Sequence, residues 1–125
     1  MTKGTKQSKL KNILEDLDNI GDIKGSIVIS VDGLVISSNI KEGIDTDTLA
    51  AMSAAMQGAA ETAVSELKQG GLKQVVIESE KGKMVSISAG EDAILIILAN
   101  KTINLGLALL ELSKAAGSIS KIIGE

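Results

Sequence analysis

The side chains of this chain that could do chemistry are carboxylates, serines and lysines, and their spacing is the first thing to weigh. Glu78 with Glu80, or Glu91 with Asp92, could be imagined as the paired carboxylates of general acid–base work. Glu78 and Glu80, however, fall on one face of a strand at its period of two, the usual pattern of a solvated edge. Asp45-x-Asp47 opens like a calcium loop, but the further oxygen ligands, the Gly and the Glu of such a loop are missing, so helix capping accounts for it better. Asp32 precedes Gly33 between two β-branched runs, where an aspartate serves a turn. Gly70-Gly71-x-Lys73 is the nearest phrase to a phosphate cradle, yet it follows a helical pattern, so the dipole points the wrong way. No Walker-type loop and no G-x-G-x-x-G is present. The serines have no histidine and no lysine-base motif beside them. No catalytic, cofactor-binding or metal-ligating residue is assigned, and no enzymatic activity is expected.

Composition sharpens that exclusion. The 125 residues contain no His, Cys, Pro or aromatic residue, and every one of the 13 basic residues is Lys. The commonest metal ligands and acid–base groups are therefore gone, and no disulfide can form. A formal charge of −3 and the lack of aromatic rings argue against nucleic acid, which needs a basic surface or stacking platforms. The longest apolar run, residues 93–99, is too short to span a bilayer, and the first nine residues lack the apolar stretch of a secretory signal. A cytoplasmic protein without membrane insertion is expected. One domain of Ile, Leu, Val, Met and Ala fits the length.

The elements that must position any site can be read in order. Residues 1–7 read as a polar tail, solubilising in character, and residues 8–125 as the single domain. A first helix starts at Ser8 as N-cap, carries Leu10, Ile13, Leu14, Leu17 and Ile20 on one face, and stops at Gly21. Strands at 26–30 and 34–38 flank Asp32-Gly33, the signature of a type I′ hairpin turn. A polar connection over 41–45 leads to a second helix at 46–69, capped by Asp45 or Thr46 and ended by Gly70-Gly71. Strands follow at 74–79, 83–88 and 93–99. In the second of these Met84, Ser86 and Ser88 form a polar face against Val85, Ile87 and Ala89. The third is apolar throughout, as for a central strand covered on both sides. Asn104 caps a last helix with Leu105, Ala108, Leu109, Leu112, Ala116, Ile119 and Ile123 as its stripe, Leu107 and Leu110 lying off it. The order α-β-β-α-β-β-β-α predicts an α/β fold, a three-layer α-β-α sandwich on a five-stranded, mostly antiparallel sheet.

The second helix is unusual. At about 100° per residue, Leu49, Met52, Met56, Ala60, Ala63, Val64 and Leu67 form its apolar stripe, predicted to face the core. Opposite lie Ala51, Ala54, Ala55, Gly58, Thr62 and Ser65, all small. Small residues there fit either close approach of a second chain, most simply another copy, or a solvated helix built from good helix formers.

The element order, the hairpin GSIVISVDGLVISS and the helix segment AAMSAAM together resemble the roadblock / dynein light chain family, and so do KGKMVSISAGEDAILIILA and NLGLALLEL near the end. The resemblance runs from about residue 8 to 123 and is strongest to prokaryotic, polarity-regulator-type members that act on Ras-like GTPases. It implies the profilin-like roadblock fold and a homodimer. The second helices would lie antiparallel and the sheets would join through the third strand. On this chain the self-contact would comprise Ala51, Ala55, Gly58 and Thr62 with Val75, Ile77 and Ser79, leaving Ala54, Gln57, Glu61 and Ser65 for a partner. The implied function is a non-enzymatic regulator or scaffold for a small Ras-like GTPase. The alternative is a structural dimerisation adaptor indifferent to nucleotide. No cofactor is implied. The chain has no Arg, so it cannot supply an arginine finger to a GTPase.

Overall fold

The computed structural model describes residues 4–41 and 43–125; Met1, Thr2 and Lys3 of the expected tail, and Glu42 of the connection into the second helix, lie outside them. The elements are α1 (Lys6–Leu17) with a 3-10 turn (Asp18–Ile20), β1 (Ile23–Ser30), β2 (Val35–Ile40) and α2 (Thr46–Glu66). They continue as β3 (Gln74–Glu78), β4 (Gly82–Ser88), β5 (Ala93–Asn100) and α3 (Leu105–Ile123). The strands form one sheet in the order β2-β1-β5-β4-β3, and every neighbouring pair is antiparallel. The predicted three-layer sandwich is present, with β5, apolar from Ala93 to Ala99, at the centre as expected.

Helix starts follow side-chain chemistry. Thr5, not Ser8, caps α1: its hydroxyl accepts from the Ser8 N–H at 3.1 Å, so the helix begins inside the expected tail. Asp45 caps α2 by accepting from the Thr48 N–H, a bond that holds its carboxyl below the usual aspartate value. Asn104 caps α3 in the same way through Leu107. The end of α2 departs from expectation. It stops at Glu66, and Lys68 takes the left-handed conformation at φ 54°. The Gln69 N–H reaches the Val64 carbonyl at 2.8 Å and the Lys68 N–H the Ser65 carbonyl, a Schellman ending with lysine where glycine is usual.

The β1–β2 hairpin is not the predicted I′ turn. Gly33 alone has positive φ, at 90°. Its N–H donates to the Ser30 carbonyl at 3.0 Å, and the Ser30 N–H donates to the Leu34 carbonyl at 2.8 Å. This is a longer loop closed by a left-handed glycine, with a register shift between Val28 and Ile29. The polar side chain holding it is Ser30, whose hydroxyl accepts from the Leu34 N–H at 3.1 Å.

The two faces of the sheet differ. Under α1 and α3 lies a continuous apolar layer in which Leu10, Leu14, Val28, Leu95, Ile97, Leu112 and Ile119 are buried. Under α2 the buried apolar set is only Ile27, Ile29, Ala50, Ile94 and Ile96. At the sheet's β2 edge Lys11 Nζ donates to the Ser38 carbonyl at 2.5 Å, and Asn39 is tied to Asp18 at 3.0 Å. The β3 edge has no strand beside it among the described residues. No described helix is long and apolar enough to cross a membrane.

Candidate functional site: the outer face of the second helix

The predicted core stripe of α2 is half-buried at Leu49, Met56, Ala60 and Val64, but it is not the centre of the buried face. Met52 is 67% exposed and Leu67 69%, and Ala63 is exposed as well. The residues buried beneath the helix are Ala50, Ser53 and Gln57, with Leu49 and Ala54 packed beside them. The inward arc is thus rotated by about 70° from the large-residue stripe. Two physical causes act together. Ala50 and Ala54 let the helix come close to the hairpin, where a Cβ added at Gly33 would lie 3.4 Å from the Ala54 Cβ and 3.5 Å from the Ala51 Cα. Gln57 in turn finds polar partners on β4: its side-chain carbonyl accepts from the Ser86 hydroxyl at 2.5 Å, and its amide donates to the Ser88 hydroxyl at 3.1 Å. The serines of the expected polar face of β4 lie under α2, and Ser86 is fully buried. Ser53 Oγ is buried without a hydrogen-bond partner.

This arrangement divides the sequence-derived site residues. Gln57, expected on the partner-facing surface, is 1% exposed and is corrected to an internal anchor of the helix. Ala54 is half-buried and faces inward. Glu61 and Ser65 are exposed on the C-terminal half of α2. Ala51, Ala55, Gly58 and Thr62 lie together on the exposed side of the helix. Nothing lies within 4 Å of a Cβ added at Gly58. On the open edge strand β3, Val75 is half-buried and Ile77 is 39% exposed; Ser79 lies just past the strand's end, exposed, its hydroxyl donating to the Gly82 carbonyl. Val75 and Ile77 pair with Ser86 and Met84, so they share the sheet face on which α2 lies. Helix surface and strand edge are thus two parts of one side of the molecule. Sequence reading missed that Met52 belongs to this outer surface; no local signal marks the inward turn of Gln57, whose β4 partners are brought to it only by the fold.

The remaining chemistry is sparse. A groove of about 410 Å³ between α1 and α3 is floored by Ile13, Leu17, Ile20 and Leu107, and on its rim Glu111 and Lys114 already pair at 3.7 Å. A second, of about 360 Å³, lies beside β3, where Lys24, Lys81 and Lys83 stand around Ile44, Ile77, Met84 and Leu98. Lys83 is paired with Glu78 at 3.3 Å, and Lys24 Nζ donates to the Lys81 carbonyl at 3.4 Å. Among the described residues no cluster of His, Cys, Asp or Glu could hold a metal ion. What the α2 side offers is contact surface.

Comparison with known proteins agrees with that architecture. The chain is 39% identical over 113 residues to an uncharacterized protein of Methanocaldococcus jannaschii, MJ0714, covering 90% of this chain and 95% of that one. The fold is similar to that of Myxococcus xanthus MglB, with a TM-score of 0.87 at 22% identity over 94% of this chain and 96% of the other. A Roadblock/LC7 domain from Streptomyces avermitilis superposes with a TM-score of 0.86 at 20% identity, covering 92% and 98% of the two chains. Residues 9–99 match the sequence profile of the Roadblock/LC7 domain, and the chain belongs to that family.

Proposed function

We propose that this chain is a homodimeric, non-enzymatic scaffold or regulator for a small Ras-like GTPase. The observation that carries the reading is the one-sided surface made by the outer strip of α2 and the open β3 edge. Small side chains at Ala51, Ala55, Gly58 and Thr62 admit a second helix at close range, while Val75 and Ile77 lie on a strand with an unpaired edge and Ser79 directly follows it. A second copy supplies both complements at once through a two-fold contact. Glu61 and Ser65 remain exposed on the same helix and are available to a further partner. Membership of the Roadblock/LC7 family and likeness in fold to MglB support this reading.

The mechanism is one of positioning. With no Arg in the chain, planar bidentate charge stabilisation at a transferring phosphoryl group is beyond its reach. Any effect on hydrolysis must act by biasing the GTPase's own switch segments through differential binding of its two states. The same lack of Arg favours scaffolding over activation. We expect the wild-type chain to elute as a dimer by light scattering with refractive-index detection, needed because the chain lacks Trp and Tyr. Ala55→Lys should yield monomer with an unchanged circular dichroism spectrum. An intact Ala55→Lys dimer would rule out pairing through α2. Binding of purified Ras-like GTPases from the same genome, loaded with GDP or with a GTP analogue, tests the partner. Equal affinity for the two forms would leave a nucleotide-indifferent adaptor instead.

A further inference from the structure

The helices on the far side of the sheet from α2 carry two large apolar residues that the core does not use. Leu107 is 41% exposed and Leu110 55%, while Ala108, Leu112, Ala116 and Ile119 supply the buried stripe of α3. Leu107 lines the groove between α1 and α3, which it shares with Ile13, Leu17 and Ile20. Leu110 follows one turn on, at the spacing of helical neighbours. Exposed apolar residues scattered singly need no account, but these two extend a hollow that is already apolar. Along α3 the hollow is lined from Leu107 to Ser118, about three turns or 16 Å at helical rise. Its charge comes chiefly from α1. That helix has Lys6 and Lys9 in its first turn and no basic residue in its last. It ends in Glu15 and Asp16, with Asp18 and Asp22 beyond, and residues 12–23 contain no lysine. Both ends run against the helix dipole, whose C-terminal end favours cations. On the rim Glu111 is paired with Lys114. Asp16, which lines the groove and is exposed, has no cation within ion-pair distance among the described residues.

We infer that the α1/α3 groove docks an amphipathic helix of a partner protein, one with large apolar side chains on one face and Lys or Arg along its edge. Shape and charge decide the occupant. Apolar anchors at i, i+3 or i+4, and i+7 span about 10 Å and fit within the three turns of the hollow. A carboxylate repelled by its own helix terminus and lacking a counter-ion is relieved by a cation brought from outside. A second copy seated groove to groove about a two-fold would set one hollow against another and fill neither. Nucleic acid and anionic lipid are repelled by the carboxylates at the end of α1. The rim residues Asp16, Leu107 and Lys114 are exposed, so the groove is open along its length, unlike the enclosing sites of small molecules. Because α1 and α3 cover the opposite face of the sheet from α2, the groove stays free in the dimer proposed above. The inference goes beyond the GTPase reading and does not rest on it: this is a place for a different partner.

The test uses the full chain with isoleucine methyl groups labelled for NMR. Ile13 and Ile20 report the groove, and Ile44 and Ile77 report the β3 side as a control. The probes are a synthetic amphipathic helix of leucine and lysine and its leucine–glutamate counterpart. The cationic peptide should shift the Ile13 and Ile20 methyls and leave Ile44 and Ile77 in place, and the anionic one should shift none of them. Leu107→Ser should weaken binding about tenfold, and Leu107→Met should keep it. Leu110→Ser, at the more exposed position, serves in its place if Leu107→Ser unfolds. Asp16→Lys separates docking from structure. By matching the helix dipole it should raise the midpoint of urea unfolding, and by reversing the rim charge it should abolish the response to the cationic peptide. Equal response to both peptides, a response at Ile44 and Ile77 in place of the groove, or full affinity in either serine variant or in Asp16→Lys would overturn the inference. Broadening of Ile13 and Ile20 that grows with protein concentration in the absence of peptide would assign the groove to a second copy and overturn it as well.

Discussion

The two sides of the sheet are built on different rules from much the same residue types. The α1/α3 side is an apolar layer running the length of the sheet, from Leu10 and Leu14 through Leu95 and Ile97 to Leu112 and Ile119. The α2 side has a thin apolar centre, a Gln–Ser–Ser hydrogen-bond set, and an unsatisfied Ser53 hydroxyl. Apolar burial drives folding in proportion to area, so most of the driving force comes from the first side. A buried polar set contributes little net stability but is exacting about geometry. The lesson is a division of labour: one side holds the domain together, and the other sets the rotation of a helix whose outer face is free to make contacts.

That division can be broken or sharpened by substitution, the largest effect coming from the dry side. Leu95→Ala, at a fully buried position, should cost about 2–5 kcal/mol in urea unfolding followed by circular dichroism. Met52→Ala on the other side should change stability by less than about 0.5 kcal/mol. Similar losses at the two positions would refute the division. Next comes the polar set. Gln57→Leu leaves the Ser86 hydroxyl buried without its partner and should cost about 1–3 kcal/mol. Adding Ser86→Ala and Ser88→Ala should recover part of that loss. A single variant as stable as the wild type would show that the set does not fix the helix.

Smaller effects come from the helix ends. Lys68→Gly relieves the left-handed lysine and should raise stability by up to about 1 kcal/mol in the same assay. The Asp45 cap is read through pH. Its carboxyl is held below the usual aspartate value by the Thr48 N–H, so its stabilising effect is full above that value and fades as pH falls through the lowered one. Asp45→Asn, which keeps an acceptor without the charge, should be slightly less stable than the wild type near neutrality and match it once the pH has fallen through the lowered aspartate value. A gap that does not close on acidification would assign the effect to something other than ionisation.

Most of the architecture was legible because strands and turns have local causes. The apolar run of β5, glycine-bounded loops and the stripes of α1 and α3 required no tertiary information. The rotation of α2 was not legible, and the reason is physical. Alanine is compatible with a buried face and an exposed one, so side-chain size could not orient the helix. A glutamine reads as surface until its partners are known, and the Ser86 and Ser88 hydroxyls lie 29 and 31 residues away. The turn was misread because Asp-Gly suits several loop types, and the bulge between Val28 and Ile29 selected among them.

One feature of the β2 edge also limits how the molecule can grow. With Lys11 seated on the Ser38 carbonyl, one acceptor on that border of the sheet is already taken where the N–H of an incoming strand would bond. A charged side chain laid along a sheet border is one of the devices that work against edge-to-edge growth, and removing that amine would return the acceptor to any strand that approached.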